Sequence, residues 1–129
     1  MKNRTLVPLL LAAVPWLAGC ETSPKDRLQG RWVGQEVEHF AAEQARRASG
    51  WARGATFEFR GNRVTVGIPT ERPRQGTYRI TAASPDELRI SFVRPHGPQD
   101  EATFRFDGDD VLRWMLGDGR AIVLRRADN

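Results

Sequence analysis

From Leu28 to Arg126 the chain is a succession of short runs in which apolar and polar residues alternate, separated by clusters of Gly, Pro, Asn, Asp and Ser. That is the pattern of half-buried strands joined by turns. Thr56-Phe57-Glu58-Phe59-Arg60 alternates, Gly61-Asn62 supplies a two-residue turn, and Arg63 to Ile68 alternates back. Phe57, Phe59, Val64, Val66 and Ile68 should therefore share one face of a hairpin. Thr70 to Gln75 reads as a loop, and the next run, Thr77 to Thr81, points Tyr78 and Ile80 inward. After a turn at Ala83-Ser84-Pro85-Asp86, Leu88, Ile90 and Phe92 alternate with polar residues until Pro95-His96-Gly97-Pro98 forbids a continuing strand. Phe104 and Phe106 mark another strand. Two more run from Val111 to Leu116, with Leu112 and Trp114 inward, and from Arg120 to Arg126, with Ile122 and Leu124 inward.

An opening strand at about Arg31 to Glu38 brings the number to eight. The expected fold is mainly β: an antiparallel up-and-down meander of about eight strands, a number at which a sheet closes into a small barrel and loses both edges. A six- or seven-stranded open sheet or sandwich is the alternative. Phe40 to Ser49 breaks the β pattern with Ala, Glu, Gln and Arg, which favour a short helix between the first two strands, and Gly50 stands where a C-cap would. On a helix Phe40, Ala41, Gln44, Ala45 and Ala48 fall on one arc. The helix should lie over an opening or face of the barrel, with Trp51 close behind it.

Every inward position on this reading is Val or larger. A small barrel with such an interior is packed, whereas a carrier needs a cavity on the order of 300 Å³ with a few polar handles. Glu36 is the candidate handle: if Trp32 points inward, period 2 brings Glu36 inward too, unless a bulge at Gly34 intervenes. Arg113 or Arg126 could then serve as its partner. Glu36, Trp51, Tyr78 and Trp114 are the candidate ligand-binding residues.

The first nineteen residues differ in kind. Lys2 and Arg4 precede an apolar run, Leu6 to Leu17, which carries Pro8 and Pro15 and ends at Ala18-Gly19. This is the layout of a secretory signal, too short for a span of roughly 20 apolar residues. Leu17-Ala18-Gly19-Cys20 resembles the lipobox of bacterial lipoproteins. The resemblance implies cleavage before Cys20, lipidation of Cys20 and anchoring in a membrane, since two or more acyl chains hold stably. In that family Asp after the Cys favours inner-membrane retention; Glu21 implies the outer membrane, facing the periplasm, over the inner. The expected organisation is a signal peptide at 1–19, lipidated Cys and tether at 20–27, and one barrel domain at 28–127. Glu21 to Arg27, polar and without period, reads as the tether.

Gly30-Arg31-Trp32, preceded by Leu28, resembles the G-x-W signature of lipocalins and other calycins. It implies a lipocalin-like barrel in which an Arg from the end of the last strand, Arg125 or Arg126, packs over Trp32. A second lipocalin signature of the Thr-Asp-Tyr kind is absent from the sequence.

Composition narrows the chemistry. The formal charge is +4, and losing Lys2 and Arg4 with the leader brings it to +2. With arginines interspersed among acids, nucleic acid is not an expected partner. Cys20 is the single cysteine, so no disulfide is expected within the chain. His39 and Glu43, at i and i+4, could share a helix face, but two ligands are too few for a structural zinc site, and His96 reads as a loop residue. Ser49, Ser84 and Ser91 lack a nucleophile motif, and the acidic pairs fall at turns. The sequence thus points to a non-catalytic envelope lipoprotein without metal or cofactor, acting on a protein partner, or alternatively carrying a small apolar, lipid-like ligand.

Overall fold

The computed structural model describes residues 23–93 and 99–127. The leader, Cys20 and His96 lie outside the described residues. Among the described residues eight antiparallel strands close into a barrel in sequence order, with the first strand paired to the last. They are β1 (Gly30–Glu38), β2 (Thr56–Arg60), β3 (Arg63–Gly67), β4 (Arg74–Ala83), β5 (Glu87–Val93), β6 (Asp100–Asp107), β7 (Val111–Gly117) and β8 (Arg120–Arg126). Helix α1 (Pro24–Leu28) precedes the barrel and α2 (Ala42–Ala52) connects β1 to β2.

The turns follow from their residues. Arg60 pairs with Arg63, leaving Gly61-Asn62 as a two-residue loop with Gly61 at φ 60°. Gly117 pairs with Arg120, and Asp118 (φ 56°) and Gly119 (φ 79°) both adopt the left-handed region that a type I′ turn demands. Register then sends the alternating residues inward. Phe57, Phe59, Val64, Tyr78, Leu88, Ile90, Phe104, Phe106, Leu112, Ile122 and Leu124 are buried, and Val66, Ile80, Phe92, Trp114 and Leu116 pack against them. Ile68 falls beyond the end of β3 and is only half-buried.

Four features depart from the expectation. The segment read as a tether is folded from Ser23: the Ser23 hydroxyl accepts from the Asp26 amide (3.2 Å), Pro24 begins α1, and Leu28 is fully buried. Helix α2 begins two residues and ends three residues later than expected, so Gly50 lies inside it and Arg53 is the C-cap. The reason is packing: Ala52 is fully buried over Gly34, where a Cβ would run into the Ala52 carbonyl oxygen. β4 begins at Arg74, inside the expected loop, because Arg74 and Gln75 pair with Val66 and Thr65. β6 begins at Asp100, and its Ala102 fills an inward place opposite Ile90 that was not foreseen.

Candidate functional site

The barrel has two unlike ends. At one, α1 closes the opening. Leu28 plugs it, and the Trp32 indole Nε1 donates to the Leu28 carbonyl at 2.8 Å. The Arg126 guanidinium lies 4.3 Å over the Trp32 ring and donates to the carbonyls of Gln29 (2.5 Å), Arg27 (2.8 Å) and Asp109 (3.0 Å). Arg126 therefore combines a cation–π contact with charge-assisted hydrogen bonds to backbone oxygens that would otherwise lose water. Gly30, at φ 117°, leaves room for it: a Cβ there would stand 2.9 Å from Arg126 Nη1. Of the two arginines expected over Trp32, strand alternation selects Arg126 and turns Arg125 outward to Gln35 (3.1 Å).

Tyr78 belongs to this closed end. Its hydroxyl donates to the Gly61 carbonyl at 2.7 Å and accepts from Gln29 Nε2 at 2.9 Å, while Gln29 Oε1 accepts from the Gly61 amide. Burial pushes the phenol pKa up, so Tyr78 stays a neutral donor. Arg27 stacks 4.1 Å over Phe106 and donates to Pro85 O at 2.8 Å.

The middle of the barrel is a ring cluster. Phe57 touches Trp114 at 5.2 Å, Phe104 at 5.4 Å, Phe59 at 6.1 Å and Phe92 at 6.5 Å between centroids. Phe59 in turn meets Tyr78 at 5.1 Å. These are contact distances for aromatic pairs, so the rings pack against one another inside the barrel.

At the other end α2 packs on β1, and Val37, Val66, Phe92, Trp114 and Leu116 are half-buried against the core. Trp51 is 37% exposed and lies 6.4 Å from Trp114. The helix is held chiefly by its C-terminal part, where Ala52 is buried and the Gly34 amide donates to Ala55 O (2.9 Å). Phe40 lies before the helix, with Arg120 5.4 Å over its ring.

The four candidate ligand residues thus separate. Trp51 and Trp114 come together at the α2 end, Tyr78 is two rings away at the α1 end, and Glu36 is exposed on the outer wall. Glu36 is a correction with a clear cause: the register of β1 on β8 shifts between Gly34 and Glu36, so Val37 turns inward and Glu36 faces out opposite Val123. Arg113 accordingly pairs with Glu38, not Glu36. It spans the outer wall over Val123, reaching Glu38 on β1 (2.9 Å) and Asp107 on β6 (2.8 Å). The hydrogen bond from Arg113 holds the Glu38 carboxyl below its usual pKa, and Glu38 and Asp107 raise that of Arg113. This bridge was missed because it is read on the outer face, where charged residues carry no signal of their own. The buried outward Ala121 and Val123 are the signal that could have found it.

His39 and Glu43 do not share a helix face, because His39 sits before α2 at φ 63°. Ser84 accepts from the Glu87 amide in its turn, and Ser91, buried on the outer side of β5, donates to Gln99 Oε1 at 3.0 Å. Among the described residues no three His, Cys, Asp or Glu side chains gather at one place.

An antiparallel eight-stranded closed barrel with a short helix after its first strand is the class that this geometry defines, and it is consistent with a lipocalin-like barrel. No protein-family model matches the chain, and no curated protein matches it.

Proposed function

We propose that the chain is a membrane-anchored envelope lipoprotein whose filled barrel is a non-catalytic interaction module, lipidated at Cys20 and facing the periplasm from the outer membrane. The observation that carries the module reading is the ring cluster around Phe57, which takes up barrel interior that a carried ligand would need. The anchoring reading rests on Leu17-Ala18-Gly19-Cys20. It is supported by the position of α1, which starts four residues beyond Cys20. The four positions from Cys20 to Pro24, at no more than about 3.6 Å each, reach about 14 Å, so the closed end would sit near the lipid and the α2 end would face away. Partner contacts would then fall on the α2 end and the outer wall.

Membrane fractionation of a Cys20→Ala variant tests the anchor. Loss from the membrane after cleavage of the leader supports it, and quantitative retention in a carbonate-washed membrane refutes it. One observation favours a second reading, a carrier of a small apolar ligand: Trp114, Phe92 and Val66 are only half-buried, and Trp114 meets the partly exposed Trp51 of α2. Native mass spectrometry of the detergent-free domain separates the two. A bare mass supports the module, and a small molecule released on denaturation supports the carrier.

A further inference from the structure

β4 is longer than its neighbour β3. Their register ends at Arg63 opposite Thr77, followed by one more bond from the Tyr78 amide to Asn62 O (3.0 Å), while β4 runs on to Ala83 paired with β5 alone. A groove of about 730 Å³ opens beside this overhang. It is lined by the half-buried Ile80 and Val93, by Lys25, Asn62, Thr77 and Arg79, and by the buried Tyr78. Lys25 is held there by a hydrogen bond to Asn62 Oδ1 at 2.6 Å. Among the described residues neither Lys25 nor Arg79 forms an ion pair, nor does Arg63, which stands across from Thr77 at the groove's flank. Asp26, beside Lys25, is the carboxylate close enough to act on Tyr78, and it offsets one of the three cations.

We infer that this groove takes the headgroup and upper acyl segment of an anionic phospholipid. Cations above an apolar floor match an amphiphile whose phosphate is negative and whose next carbons are not, and neither a free anion nor a neutral lipid would use both surfaces. Resting on the anchored reading above, the inference also supplies the source: Lys25 lies five positions from Cys20, within about 18 Å of the lipid surface even when fully extended. The groove then fixes which wall of the barrel leans on the membrane, something a lipid on a short flexible segment cannot do. Each Lys or Arg near an anionic surface strengthens binding by about fivefold, which suits an orienting contact more than a second anchor.

The sequence provides a probe, because Lys25 is the only lysine beyond Lys2. The whole protein, purified from membranes in nonionic detergent, is pulsed with an amine-acetylating reagent and its mass followed. The additions are dihexanoyl phosphatidylglycerol, dihexanoyl phosphatidylcholine or inorganic phosphate. The phosphatidylglycerol should slow acetylation of Lys25 by about fivefold or more, with little effect of the other two. Arg79→Gln, on the exposed outer wall, should demand about fivefold more phosphatidylglycerol for the same protection. Equal protection by phosphate, equal protection by phosphatidylcholine, or no protection by any of them overturns the inference. So does protection seen only in native membranes, which would indicate a protein over the groove. The same intact mass reads the acyl chains on Cys20, and the soluble lipids need no anchor. A failed groove and a failed anchor are therefore scored separately.

Discussion

At the α1 end Leu28 and Trp32 have no exposed surface, and Arg126 satisfies three backbone carbonyls while covering the indole. At the α2 end Trp51 is more than a third exposed, Val37, Val66, Phe92, Trp114 and Leu116 are half-buried, and α2 carries no side-chain N-cap. The same barrel thus presents one end in which the polar groups of Gln29, Trp32, Tyr78 and Arg126 have fixed partners and another in which Trp51 and the half-buried apolar residues are only partly covered. Stability concentrates where neighbours are many and bonds are closed, and regions with few buried contacts open first. The first end holds the barrel shut, and the second is free to meet something else.

Substitutions can break this contrast. Trp32→Ala should cost about 3–5 kcal/mol in urea unfolding, because it empties the plug and strands the Leu28 carbonyl and Arg126. Trp51→Ala should cost less than about 1 kcal/mol. Equal losses would mean that the ends are not different in kind. Arg126→Ala should cost about 2–3 kcal/mol, since two part-buried carbonyls, of Arg27 and Gln29, lose a charged donor and Trp32 loses its cover. Gly34→Ala should cost about 1–3 kcal/mol and, unlike Trp32→Ala and Arg126→Ala, should speed hydrogen exchange in α2 more than at the α1 end. Gly50→Ala should have the opposite sign, a gain of about 0.5–1 kcal/mol, because Gly50 is within α2 and no atom lies near its would-be Cβ.

The smallest effect is electrostatic and belongs to neither end. Glu38 has its folded-state pKa lowered by Arg113, so its contribution is present above the unfolded carboxyl pKa of about 4.3 and is lost as pH falls through the lower folded value. Glu38→Gln should therefore cost about 0.5 kcal/mol at pH 7, and the two stability curves should converge below about pH 4. A difference that persists in acid would assign the effect to packing over Val123 instead.

The barrel was legible because its information is periodic: Phe57, Phe59, Leu88, Ile90, Phe104 and Phe106 fall inward wherever the alternation is kept. The turns were legible because Gly61 and Asp118-Gly119 are residues that tolerate positive φ. What could not be read is where alternation breaks for a reason located elsewhere in the chain. The shift at Gly34 answers to Ala52 and Ala55, which sit over β1, and it alone sends Glu36 outward and Val37 inward. The end of α2 was misread for the same cause, since the buried Ala52 outweighs the helix-breaking tendency of Gly50. The start of α1 was missed because Ser23-Pro24 reads equally as a loop or as a cap. Only the burial of Leu28 decides which.

The pairing of β1 with β8 has a consequence in time. Trp32 meets Arg126, so the seam joins nearly the first and nearly the last residues of the domain. A chain made or threaded from its N-terminus cannot close that seam until β8 has emerged, and until then β1 and β7 each offer an open row of amide and carbonyl groups. The interval before closure is when such a protein is most exposed to mispairing with other chains. A chain cut short by even its last strand would remain in that condition permanently.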